Sequence, residues 1–345
     1  AGMLAVPSER QRDVPDEDVF EDAVDLEWLK KIPWFRGLAG CLFVVLILLG
    51  VAAPWRSFHL VDSWRCDVAD RFARQLLETM KTRTHLITNG LLDNHLRIQA
   101  QMIKKPLTLI PLSANLSDLN MLRGQIATSP VFEGMNRQRL QNALMIAPTR
   151  FVLEWLGADL DASDRAMVFG TPELWISAGY RPIPEGAAFE GQRGPQAIDW
   201  TRLDEENHRF VDAVVPFLGA SCEDGRQLET LREALRIRVS FVANELGVLM
   251  EESGQPEKAR LAYERALNVD PQNVSAAMNN YALAVVQKTS PELLDAQRKR
   301  LRKTLDEFQK SKKWNQITLL QNYGSIRQPT FYQQQTAQWS ALGVQ

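Results

Sequence analysis

Residues 240–273 read SFVANELGVLMEESGQPEKARLAYERALNVDPQN, and their spacing predicts two amphipathic helices joined by a tight turn. Gly254 supplies the turn, because a residue without a Cβ enters left-handed backbone freely. Gly247 in the first helix and Ala259 in the second are small, as two closely crossing helices require. Tyr263 is the bulky filler beside them. Pro271 cannot continue a helix in its interior, so it closes the unit and begins the next element.

The pattern continues less regularly. Residues 274–286, VSAAMNNYALAVV, predict another first helix, with Tyr281-Ala282 in the places of Leu246-Gly247 after a one-residue slip. Ser290-Pro291-Glu292 is a helix start: an N-cap, a proline at the first helical position and an acid in the first turn. The basic helix beyond it carries Leu294, Leu301, Leu305 and Phe308 on one stripe, as a covering second helix would. Residues 226–240 also have a helical period, but Leu228, Leu231, Leu235, Ile237 and Val239 do not reproduce the pattern.

A thirty-four-residue unit with Leu246-Gly247, Gly254, Ala259, Tyr263, Ala266 and Asp270-Pro271 in these places resembles the tetratricopeptide repeat. Residues 240–273 carry the resemblance clearly and residues 274–310 loosely. Ala243 stands where the family has a large aromatic. The resemblance implies helical hairpins whose first helices line a concave binding face, here Phe241, Asn244, Val248 and Glu251, with Asn279 and Leu283 from the slipped copy. An asparagine amide both donates and accepts, so it suits the backbone of an extended peptide. About three stacked units normally make such an array stable, so flanking helices or a partner chain are expected to complete it.

Toward the N-terminus, residues 37–55 read GLAGCLFVVLILLGVAAPW, nineteen residues without a charge. At about 1.5 Å per residue a helix of this length covers the roughly 30 Å hydrocarbon layer. Lys30, Lys31 and Arg36 precede it, Arg56 follows it, and Trp34 and Trp55 bracket it as interfacial aromatics do. The excess of Lys and Arg before the span favours a cytoplasmic N-terminus and an exported body, as at a bacterial inner membrane. Residues 1–33 form an acidic tail, too long and too acidic for the leader of a secretory signal.

Between anchor and repeat, residues 57–218 have helical periods around 61–80, 91–105, 118–126, 136–145 and 148–156. Residues 168–200 hold five glycines and four prolines and are expected to form an irregular loop, on which Trp175 and Tyr180 could stack against a glycan or polymer. Residues 225–320 hold the repeat region and 321–345 a tail. The expected fold class is mainly α: one transmembrane helix, then an all-helical body ending in repeat-like hairpins.

Little in the composition points to catalysis. Net charge is −2, which gives no field for nucleic acid as a whole-molecule property, and the basic run 298–313 lacks interleaved aromatics. Cys41, Cys66 and Cys222 have no metal-binding spacing, and Cys66 and Cys222 would pair only in an oxidising compartment. His59, His85, His95 and His208 are scattered, and phosphate-binding and nucleophile motifs are missing. No enzyme, metal or cofactor is expected. The reading is a membrane-anchored scaffold or assembly protein whose partners are proteins, either further copies or chains of a larger membrane complex; a glycan or polymer receptor is the alternative.

Overall fold

The computed structural model describes residues 67–113, 116–194, 196–219, 226–310 and 316–327. The acidic tail, the anchor at 34–56, all three cysteines and residues 328–345 lie outside them. Among the described residues no helix is long and apolar enough to cross a membrane.

The described chain is mainly helical, but an all-helical body is not what forms. Five short strands make one sheet: β1 (His85–Thr88), β2 (Thr108–Pro111), β3 (Ala166–Phe169), β4 (Arg181–Glu185) and β5 (Ala188–Gln192), in the order β2-β1-β3-β5-β4. The first three are parallel, with Leu86 opposite Leu109 and Met167; β5 runs antiparallel to β3 and forms a hairpin with β4. Each strand has only four or five residues, and helices cover both faces. Such strands read as brief apolar runs, without the alternation that marks a half-exposed strand.

The two faces sort the helices. Leu86, Leu109, Met167 and Phe169 point into a core with α1 (Val68–Thr79), α2 (Asp93–Met102) and α8 (Trp200–Gly219). Ile87, Ile110, Val168 and Phe189 point the other way, toward α3 (Leu116–Thr128), α4 (Arg137–Ile146), α5 (Pro148–Ala158) and α7 (Glu173–Ser177). A single turn, α6 (Ala162–Arg165), leads into β3. Local chemistry sets several ends. The Asn136 side chain accepts from the Arg139 amide at 3.0 Å, and Pro148 occupies the first turn of α5. Lys81, at φ 51°, follows the end of α1 in the left-handed conformation that glycine usually takes there.

The expected loop at 168–200 is corrected by the same sheet, since it contains the end of β3, then α7, β4 and β5. Pro182 and Pro184 sit on β4, an edge strand, where a proline need not donate to a neighbour. Trp175 is fully buried and donates to the Phe189 carbonyl at 3.0 Å. Tyr180 is buried against it, its hydroxyl donating to the carbonyls of Leu156 and Asp159. Neither ring offers an open face for stacking on a ligand. Asn207 of α8 holds the β4–β5 turn, accepting from the Gly186 amide at 2.9 Å and donating to the Pro184 carbonyl at 3.1 Å.

The remaining helices are α9 (Arg226–Glu252), α10 (Pro256–Val269), α11 (Val274–Val286), α12 (Pro291–Lys310) and α13 (Gln316–Tyr323). α9 serves several cores. Leu235 and Val239 join one face of the sheet and Phe241 and Val242 the other, while Leu246, Leu249 and Met250 pack with Ala259, Ala262 and Tyr263 of α10. Gly254, at φ 72°, turns α9 back into α10. Asn273 caps α11 by accepting from the Ala276 amide at 2.8 Å, and its amide nitrogen donates to Ser240 Oγ at 2.8 Å.

Gly247 lies directly under the Tyr263 ring, and any Cβ placed there would overlap it. Tyr263 is fully buried and its hydroxyl donates to Glu251 at 2.8 Å, so it has no free direction in which to withdraw. Gly247→Val is expected to cost about 1–3 kcal/mol by overpacking. Chemical denaturation of the purified protein measures this, and an unchanged midpoint would show that the two helices are not held at this spacing.

Candidate functional site

The six residues expected on a concave face divide into two groups. Phe241 is buried with its ring 6.1 Å from Phe189, and Val248 and Leu283 pack in the core under Tyr263. Glu251 accepts from Tyr263. These four therefore hold the fold together and do not form an open surface. Asn244 and Asn279 behave differently. They lie 35 positions apart, one on α9 and the other on α11, and their side chains meet.

Asn279 Nδ2 donates to Asn244 Oδ1 at 2.9 Å, joining the two amides into one unit. Both nitrogens then point at the same acceptor: Asn244 Nδ2 donates to the Ser325 carbonyl at 3.0 Å and Asn279 Nδ2 at 2.9 Å. Asn279 Oδ1 accepts the Arg327 amide at 2.8 Å. The pair thus grips a stretch of this chain's own main chain just past α13.

Flanking groups extend the grip. Ser275 Oγ donates to the Gly324 carbonyl at 2.8 Å. The Glu245 carboxylate accepts from the Ser325 amide at 2.5 Å and from its hydroxyl at 3.3 Å. Burial pushes the Glu245 pKa up, and the two hydrogen bonds from Ser325 pull against that shift. Arg327 lies 3.8 Å from Glu252. Gly324 has φ 84°, and a Cβ there would meet Glu245 Oε1 at 2.5 Å and Asn244 Nδ2 at 3.0 Å. Side-chain amides, a hydroxyl and a carboxylate thus hold the main chain of residues 324–327, and there is no room for a Cβ at Gly324.

Family models, curated proteins and solved structures offer no match to this chain. The chemistry must be read from the site itself. Asn244 and Asn279 are visible in the sequence as polar residues on otherwise apolar helix faces. Glu245 and Ser275 carry no such mark, because nothing local says which residue will meet a segment eighty or fifty positions away. Arg238 was equally hidden. Its Nε donates to the Ala187 carbonyl at 3.0 Å and its guanidinium lies 5.2–5.5 Å from the rings of Phe169, Phe189 and Phe241. Burial lowers its pKa to about 9, leaving it a cation at neutral pH.

Two further polar places lie on the sheet side. The carboxyl ends of β1 and β2 open into a cavity of about 380 Å³ lined by Gly90, Asp93, Asn94, Arg97, Ser113 and Asp118. Crevices of this kind are where open parallel sheets take ligands. At the other end, Lys81 Nζ lies 2.6 Å from Glu185 and 2.7 Å from Glu206, while Arg83 pairs with Glu190. Glu185 is 2% exposed, and burial, helped by the nearby Glu190 charge, raises its pKa to about 7 against the pull of Lys81 and Arg83. Among the described residues no three His, Cys, Asp or Glu side chains cluster to hold a metal ion.

The Glu185 shift has a defined sign. Its ordinary value is 4.5, and the folded chain holds the proton more tightly than the unfolded chain does. Stability from this group is full below pH 4.5 and falls as pH rises to about 7. Glu185→Gln should flatten that part of the stability profile measured by denaturation between pH 4.5 and 8. An unaltered slope would place the titration elsewhere.

Proposed function

We propose that this chain is a membrane-anchored scaffold whose repeat-like helices hold an extended segment of protein. The observation that carries this reading is the Asn244–Asn279 pair, two buried amides hydrogen-bonded to each other and both donating to one main-chain carbonyl. A side-chain amide both donates and accepts, so a pair of them is suited to holding a backbone. Resemblance of residues 240–273 to the tetratricopeptide repeat supports the same class of partner. The uncharged span 37–55 supports attachment to a membrane, with the helical body on the exported side of a bacterial inner membrane.

The sheet gives the helices a fixed base. A clamp formed by two helices keeps its spacing only if one of them cannot shift, and α9 is locked by Arg238 and by two apolar faces. That is the mechanical requirement of a scaffold: affinity from oriented polar groups, held on rigid elements.

Purification of the intact protein from membranes, with chemical cross-linking, is the test. Copurifying chains are expected to cross-link near α9 and α11, and Asn244→Ala with Asn279→Ala is expected to remove them while the protein stays folded. A protein that always emerges alone and monomeric would sink the scaffold reading.

A further inference from the structure

The clamp is already filled. Residues 324–327 occupy it in the same molecule, and they do so as a ligand would, through main-chain groups read by side chains. Gly324 O, Ser325 N, Ser325 O and Arg327 N are each engaged by Ser275, Glu245 or the asparagine pair. Gly324 is buried and Ile326 half-buried, but Ser325 and Arg327 are exposed, so the segment is held on the helices with one side open to solvent. A tethered segment acts at an effective concentration of about a millimolar or more, which an outside peptide must overcome.

We infer that residues 324–327 are a displaceable latch over the clamp, and that the partner which displaces them presents an extended peptide of the same order. This deepens the scaffold reading and rests on it. The order follows from the contacts. A glycine is needed first, because the backbone there is left-handed and a Cβ would strike Glu245 and Asn244. A hydroxyl comes next, donating to Glu245. An apolar residue follows, as Ile326 packs against the core around Leu301 and Phe308. An arginine then faces Glu252. The partner is thus a protein with an accessible Gly-Ser/Thr-apolar-Arg stretch, and the latch keeps the clamp closed to weaker sequences.

The probe is a fluorescent synthetic peptide of residues 321–329, titrated into the detergent-solubilised full chain and followed by anisotropy. Gly324→Val and, separately, Ser325→Pro disturb the latch while every clamp residue keeps its identity; the valine would be driven off by Glu245 and Asn244. Each is expected to bind the peptide at least about ten-fold more tightly than the unaltered chain, and adding Asn244→Ala and Asn279→Ala is expected to abolish that gain. Equal affinity in the unaltered and latch-altered chains, still dependent on the asparagines, would overturn the latch and leave the clamp standing. No binding in a latch-altered chain of normal circular dichroism would overturn the clamp itself. Hydrogen exchange on the unaltered chain needs no variant: saturating peptide should speed exchange at the Ser325 and Arg327 amides, and unchanged protection would show that the segment is a fixed part of the fold.

Discussion

Arg238 donates to the Ala187 carbonyl at 3.0 Å from within a ring of Phe169, Phe189 and Phe241, and this contact fixes α9 against the sheet. Because the helix is one continuous rod of 27 residues, what is fixed at Arg238 is also fixed at Asn244, less than two turns away. The far half of α9 then sets α10 through Gly247 and Tyr263, and its middle sets α11 through Ser240 and Asn273. Arg238 is half-buried, and the carbonyl and the three ring faces lower the cost of placing a cation there. The helical region therefore has a rigid footing that an isolated pair of repeat units would lack.

On this footing the polar groups of the clamp work against an apolar background. Asn244 and Asn279 are both at most 1% exposed, so their amides must find partners within the protein. The two amides are bonded to each other and to the backbone of residues 325–327, so each has partners within the protein. Removing one side chain leaves the other's groups and a backbone carbonyl unmet, and the asymmetry of hydrogen-bond energetics makes that loss larger than the bond's own worth. Glu245 adds a charge-assisted acceptor at the edge, where the segment turns out of α13.

Much of the helical part is legible in the sequence because helices announce themselves locally. Spacing predicts α1, α2, α4, α5 and α10 near their observed bounds, and Pro256, Pro291 and Asn273 mark starts by chemistry that needs no tertiary context. The sheet is not legible. HLIT, TLIP and AMVF are too short and too evenly apolar to carry a period of two, and the prolines of β4 argue for a loop unless one knows the strand lies at an edge. Trp175 and Tyr180 mislead for the same reason: glycines and prolines around an aromatic look like an exposed loop until Gly191 is seen to make room for the indole. Asn244 and Asn279 stand out in the sequence as polar residues on apolar helices, while the arrival of residues 324–327 depends on the path of α12 and α13 and has no local signal.

A double-mutant cycle on Asn244→Ala and Asn279→Ala, read by denaturation, tests most directly whether the two amides act as one clamp. The expected result is a coupling energy of about 1 kcal/mol or more, since each single loss already disables much of what the other side chain does. Strictly additive losses would contradict a shared clamp and leave two unrelated polar residues on neighbouring helices.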